Sequence, residues 1–164
     1  MVELTKNKKY LEKILPHKIP MILIDNVVDY NFNENWLRSF TKIDESSLFY
    51  DKNKKGVSSL VGIEYMAQTI GCYAFLKSKQ KKPKIGFLLG TRLYNNKIEK
   101  FNLGETYITK VKEIYCADDI ISFECVIYNN IKCLEDNEVA SATVNVYQSQ
   151  NNDDIIEIMK KVKG

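Results

Sequence analysis

The chain has 164 residues, a formal net charge of +3 and a single histidine. That length suits one domain around one core, and ten Tyr with seven Phe exclude a disordered chain. So small a positive charge is no argument for a nucleic-acid partner.

The first ten residues have no apolar run, so no signal peptide is expected and the cytoplasm is the expected location. A short helix is predicted over residues 5–15, ended by Pro16. Residues 21–30, rich in Ile, Leu and Val, predict a strand, and 36–43 a second one. Residues 44–56 read as a polar loop.

A long apolar helix is predicted from residue 58 to about 77, with Ser58 or Ser59 as its cap. It is nearly long enough to span a bilayer. Ser58, Ser59, Glu64, Gln68 and Thr69 make it a core helix instead, with no membrane span. Lys77, Lys79, Lys81, Lys82 and Lys84 follow, and Pro83 stops the pattern.

Beyond Pro83 the period changes to two. Strands are predicted over 85–94, 105–116, 120–128 and 138–148. Ile121, Phe123, Cys125 and Ile127 form one face of the third, and Ala140, Ala142, Val144 and Val146 one face of the fourth. Residues 1–150 thus form one domain, and 151–164 a polar tail with a short helix.

Strands joined by tight turns are antiparallel. A helix that is apolar round most of its circumference must be covered on most sides. An antiparallel sheet curled around one central helix meets both demands. The expected class is therefore α+β, the hot-dog fold.

Cys72, Cys116, Cys125 and Cys133 have no C-x-x-C spacing, and His17 is remote from all of them in sequence. No metal site is expected. Reduced thiols suit a cytoplasmic protein.

Glu64 is the one formal charge between Gly56 and Leu76. On a helix it shares a face with Leu60, Ala67, Gln68 and Gly71. Burial would raise its pKa, as expected of a general acid or base. The competing reading is an ion pair with Arg92 or Arg38, or a place in solvent at the helix end. Gln68 could bond Glu64, a substrate or a neighbouring subunit. Val61 and Gly62, at the helix start, could offer N–H donors to a carbonyl oxygen; Gly62 can equally serve packing.

Two stretches, L-P-H-K-I-P-M-I-L-I-D (15–25) and I-E-Y-M-A-Q (63–68), resemble the hot-dog 3-hydroxyacyl-ACP dehydratases of fatty-acid synthesis. V-G-I-E-Y-M-A-Q, G-F-L-L-G-T-R (86–92) and A-S-A-T-V-N-V-Y-Q (140–148) resemble more closely the branch associated with aryl-polyene gene clusters. The likeness covers about residues 10–148.

The resemblance implies loss of water from a (3R)-hydroxyacyl thioester on acyl carrier protein, giving the trans-2-enoyl thioester. Glu64 matches the family glutamate, expected to act at the β-hydroxyl. Val61, Gly62 and Gln68 become candidate substrate contacts. No cofactor is required. A homodimer, or a heterodimer with a related hot-dog subunit, is implied.

One departure is clear. The ordinary family histidine lies in a Gly-His-Phe-Pro-Gly loop before the helix, and residues 49–59 here contain none. His17 is then either the base or a structural group. Tyr50 and Asp51 stand near the vacated position. Lys52, Lys54 and Lys55 before the helix, the later lysines and Arg92 are candidate contacts for an acidic carrier protein, or simply solvated. Two alternatives remain: a hot-dog thioester hydrolase, which needs only the carboxylate, and a non-catalytic partner subunit of an active dehydratase.

Overall fold

Asn7 sets where the first helix begins. Its side chain accepts the Tyr10 amide at 3.1 Å, so α1 runs Lys8–Ile14 rather than from residue 5. The computed structural model describes residues 3–79, 86–148 and 160–161. The predicted tail of 151–164 lies outside them except for the helical pair 160–161, and so do Lys81, Lys82 and Lys84.

The strand predicted over 21–30 is shorter than expected: β1 is Asn26–Asn31. Ile22, Leu23 and Ile24 are buried, which explains the strand-like composition. Their stretch pairs with no strand, however. The Leu23 and Ile24 amides turn inward to the side chain of Gln68, at 2.9 and 3.5 Å.

Strand β2 is Trp36–Lys42. The predicted polar loop holds two very short strands, β3 (Tyr50–Asp51) and β4 (Gly56–Ser58). They form a small sheet with β6 (Lys100–Asn102), in the order β3-β4-β6. Segments of two or three residues are too short to show a period, so the sequence does not reveal them.

Ser58 accepts the Leu60 amide and opens a 3-10 turn, Ser59–Val61, which leads into the central helix α2, Gly62–Ser78. Its buried residues include Tyr65, Met66, Ile70, Cys72 and Tyr73. The buried hydroxyl of Thr69 donates to the Tyr65 carbonyl at 2.6 Å and meets Ser39 Oγ at 2.7 Å. At the far end, Tyr73 donates to Glu113 at 2.9 Å and Lys77 lies 3.0 Å from the same carboxylate.

The remaining strands are β5 (Phe87–Asn96), β7 (Thr106–Ala117), β8 (Ile120–Tyr128) and β9 (Glu138–Tyr147). The large sheet has the order β1-β2-β7-β8-β9-β5, antiparallel throughout. It curls around α2, as the pattern of apolar faces predicted. Phe123, Cys125 and Ile127 of β8 and Ala140, Ala142 and Val144 of β9 are buried; Ile121 and Val146 pack partly buried against them.

Strand β5 stands at the edge of this sheet. Leu88, Leu89 and Leu93 on it are exposed. Among the described residues no helix is long and apolar enough to cross a membrane.

Candidate active site

Glu64 occupies the first turn of α2, and Gln68 follows one turn later. The chain reaches them from the other side through the loop after α1. That loop is tied down locally: the Ile19 amide donates to Glu12 Oε1 at 3.0 Å, and the Met21 amide to the Lys18 carbonyl at 2.7 Å. This places His17 over the helix, with Nε2 3.4 Å from Glu64 Oε1. Its other ring nitrogen, Nδ1, is buried without a hydrogen-bond partner.

Gln68 is fully buried. It donates from Nε2 to the Met21 carbonyl at 2.8 Å and to Glu64 Oε1 at 3.0 Å. Glu64 itself is only partly covered, its side chain 44 % exposed. Its pKa moves opposite to the sequence-based expectation. The His17 imidazole beside it, helped by the Gln68 amide, holds the carboxyl below its ordinary value, and outweighs the upward pull of desolvation. Glu64 therefore rests as a carboxylate, the form of a base.

An apolar cavity opens from this pair and runs between α2 and the sheet. Ala67, Gly71 and Ala74 form its helical wall, and Ile121, Phe123 and Val146 face them. From Glu64 to Ala74 the helix advances about 15 Å. Leu88 of the edge strand β5 also lines the cavity.

The other sequence candidates lie elsewhere. Gly62 is buried, and its amide donates to the Ser59 carbonyl, so that N–H is already engaged. A Cβ there would meet the Tyr94 hydroxyl, Ile127 and Phe101. Gly62 is a packing glycine, and neither it nor Val61 lines the cavity. Gln68 turns to the protein's own backbone and to Glu64 rather than to the cavity. Asp51 accepts the Asn53 and Lys54 amides within its own turn. Arg38 pairs with Asp29, and Arg92 is exposed; neither is the partner of Glu64. Among the described residues no three His, Cys, Asp or Glu side chains gather to hold a metal ion.

A family model described as ApeP-like, ApeP dehydratase, matches residues 9–157. A 3-hydroxyacyl-[acyl-carrier-protein] dehydratase FabZ of Mannheimia succiniciproducens is 29% identical over 80 residues, 47% of this chain and 53% of that protein. The chain thus spans about half the length of that curated relative.

Among solved structures, the dehydratase heterocomplex ApeI:P from Xenorhabdus doucetiae matches with a TM-score of 0.76 at 21% identity, over 91% of this chain and 96% of that one. A hypothetical thioesterase with coenzyme A from Streptococcus pneumoniae TIGR4 matches with a TM-score of 0.59 at 12% identity, over 87% and 97%. At such identities the likeness is one of fold.

Proposed function

The chain belongs to the ApeP-like dehydratase family, and on that premise we propose that it removes water from a (3R)-hydroxyacyl thioester to give the trans-2-enoyl thioester. The observation that carries this reading is the Glu64 carboxylate, set beside the imidazole of His17 in the lining of an apolar cavity. Elimination of water needs a base for the α-proton and an acid for the departing hydroxyl. Glu64 rests in the base form. Once it has taken the α-proton it becomes the acid the hydroxyl requires. His17 completes the pair by steadying the charged carboxylate.

The acyl carrier is an acyl carrier protein in this reading, and the product belongs to fatty-acid or aryl-polyene type synthesis. Lys52, Lys54 and Lys55, all exposed on the hairpin just before α2, suit an acidic carrier. Catalysis takes place in a dimer, with a second copy or with a related hot-dog subunit. The exposed leucines of the edge strand β5, among them Leu88 of the cavity lining, support this. The neighbouring structure from Xenorhabdus is itself a heterocomplex. All four cysteines are unpaired, which suits the cytoplasm.

A mass-spectrometric assay on a 3-hydroxyacyl carrier protein tests the reading. Loss of one water with the wild type, abolished in Glu64→Gln, is expected. Release of a free acyl chain would instead make the protein a thioester hydrolase. No change, with activity only after a second hot-dog subunit is added and kept in Glu64→Gln, would make it a partner subunit.

A further inference from the structure

Building on the dehydratase reading, we propose that Gln68 is a positioning residue that divides the two oxygens of Glu64, holding Oε1 and leaving Oε2 to exchange protons with the substrate.

A carboxamide has two acceptor sites on oxygen and two N–H donors on nitrogen. Gln68 uses all four. Its Oε1 accepts the Leu23 amide at 2.9 Å and is approached by the Ile24 amide at 3.5 Å. Its Nε2 donates to the Met21 carbonyl at 2.8 Å and to Glu64 Oε1 at 3.0 Å.

The amide cannot be turned over. A flip would set its nitrogen against two backbone N–H groups and its oxygen against a carbonyl and a carboxylate. An N–H of Gln68 is therefore always aimed at Glu64 Oε1. His17 Nε2 approaches the same oxygen at 3.4 Å. A proton on Oε1 would face the Gln68 N–H, whereas Gln68 makes no hydrogen bond to Oε2.

The reaction is then confined to one atom. The α C–H bond breaks, its proton moves to Oε2, and the electron pair enters the thioester enolate. The same proton passes from Oε2 to the β-hydroxyl as the C–O bond breaks. Water leaves and Glu64 is a carboxylate again. Gln68 does not line the cavity. It acts through Glu64, and its hold on Met21 and Leu23 also fixes the segment that follows His17. Among the described residues lining the cavity, His17 is the one other titratable side chain. Gln68 itself carries no charge. A changed pH response on altering Gln68 is therefore read through Glu64.

The test compares wild type, Gln68→Met and Gln68→Glu in two ways: the pH profile of kcat/KM on a 3-hydroxyacyl carrier protein, and a carbon-13 NMR titration of the Glu64 carboxyl. Gln68→Met removes the donor. Gln68→Glu keeps an acceptor for the Leu23 amide but sets an oxygen against the Met21 carbonyl and Glu64, so circular dichroism establishes the folding of both variants. Should neither fold, a wild-type Glu64 midpoint at or above the ordinary glutamate value overturns the proposal. In both, the Glu64 midpoint and the acid limb should rise, by about one pH unit or more in Gln68→Glu. The rate constant kcat should fall about tenfold or more while KM changes little. Folded variants with the wild-type midpoint and acid limb would overturn the proposal. A wild type inactive both alone and with an added hot-dog partner subunit, whose Glu64 midpoint still rises in the variants, would overturn the dehydratase reading, and with it the proton-transfer task of Oε2, while leaving the hold on Oε1 established.

Discussion

His17 Nε2 lies 3.4 Å from Glu64 Oε1, so the only histidine of the chain meets the only carboxylate of its central helix. Removing either partner should have different consequences. Glu64→Gln removes the proton-exchanging group, and dehydration should fall by about a hundredfold to ten-thousandfold. His17→Ala leaves the carboxylate but strips its partner, and the loss should be smaller. Single-turnover assays on a 3-hydroxyacyl carrier protein, with circular dichroism to establish folding, compare the two.

The depressed pKa of Glu64 has a signed consequence for the pH profile. Its base form persists below the ordinary carboxylate range because His17 and Gln68 favour it. The kcat/KM of the wild type should therefore hold as pH falls toward about 4.3, the usual glutamate value, and drop only below it. Stability follows the same sign. A carboxylate with a lowered folded pKa stabilises above its unfolded pKa, and that contribution is lost as pH falls through the folded value. Asp44, hydrogen-bonded by Lys6 and Ser46 and lowered to about 2, extends the same loss toward pH 2. Urea midpoints measured from neutral pH downward should decline over this window, and less so in Asp44→Asn.

Gly62 separates packing from chemistry. A methyl group there would press on the Tyr94 hydroxyl, which donates to the Ser59 carbonyl, and would lie 3.0 Å from both Ile127 Cδ1 and Phe101 Cζ. Gly62→Ala should destabilise by about 1–3 kcal/mol. Chemical denaturation measures this directly.

Asp25 is buried, and it anchors the segment that carries Leu23 and Ile24. Its Oδ2 accepts the Lys42 amide at 2.7 Å, and the Lys6 and Lys8 ammonium groups each lie 3.7 Å from its carboxylate. Asp25→Ala would strand that amide and should lower stability by about 1–3 kcal/mol. Asp25→Asn keeps an acceptor and should lose less, as thermal unfolding of the two variants would show.

The cysteines should react in two classes. Cys116 is exposed and Cys133 half-buried, whereas Cys72 and Cys125 are buried, and burial pushes both of their thiols up. Iodoacetamide on the native protein should label Cys116 and Cys133. Cys72 and Cys125 should label only after unfolding, which peptide mapping resolves.

Much of this protein is legible in its sequence because much of it is periodic. The alternation of Phe123, Cys125 and Ile127, and of Ala140, Ala142 and Val144, identifies β8 and β9 from neighbours in the chain. The apolar circumference of α2 announces a central helix, and Glu64 is conspicuous there because nothing around it is charged. By contrast, residues 21–25 look like a strand, since burial selects Ile and Leu whatever the backbone does. Their amides are satisfied by Gln68, more than forty positions away. The direction of the Glu64 pKa could not be read either. Burial alone would raise it, and only the fold brings His17 and Gln68 to one oxygen of its carboxylate. Local pattern determines which segments are helix or strand, because those are set by neighbours along the chain. Protonation and proton-transfer geometry depend on a few ångströms between residues far apart in sequence, and only tertiary packing decides that distance.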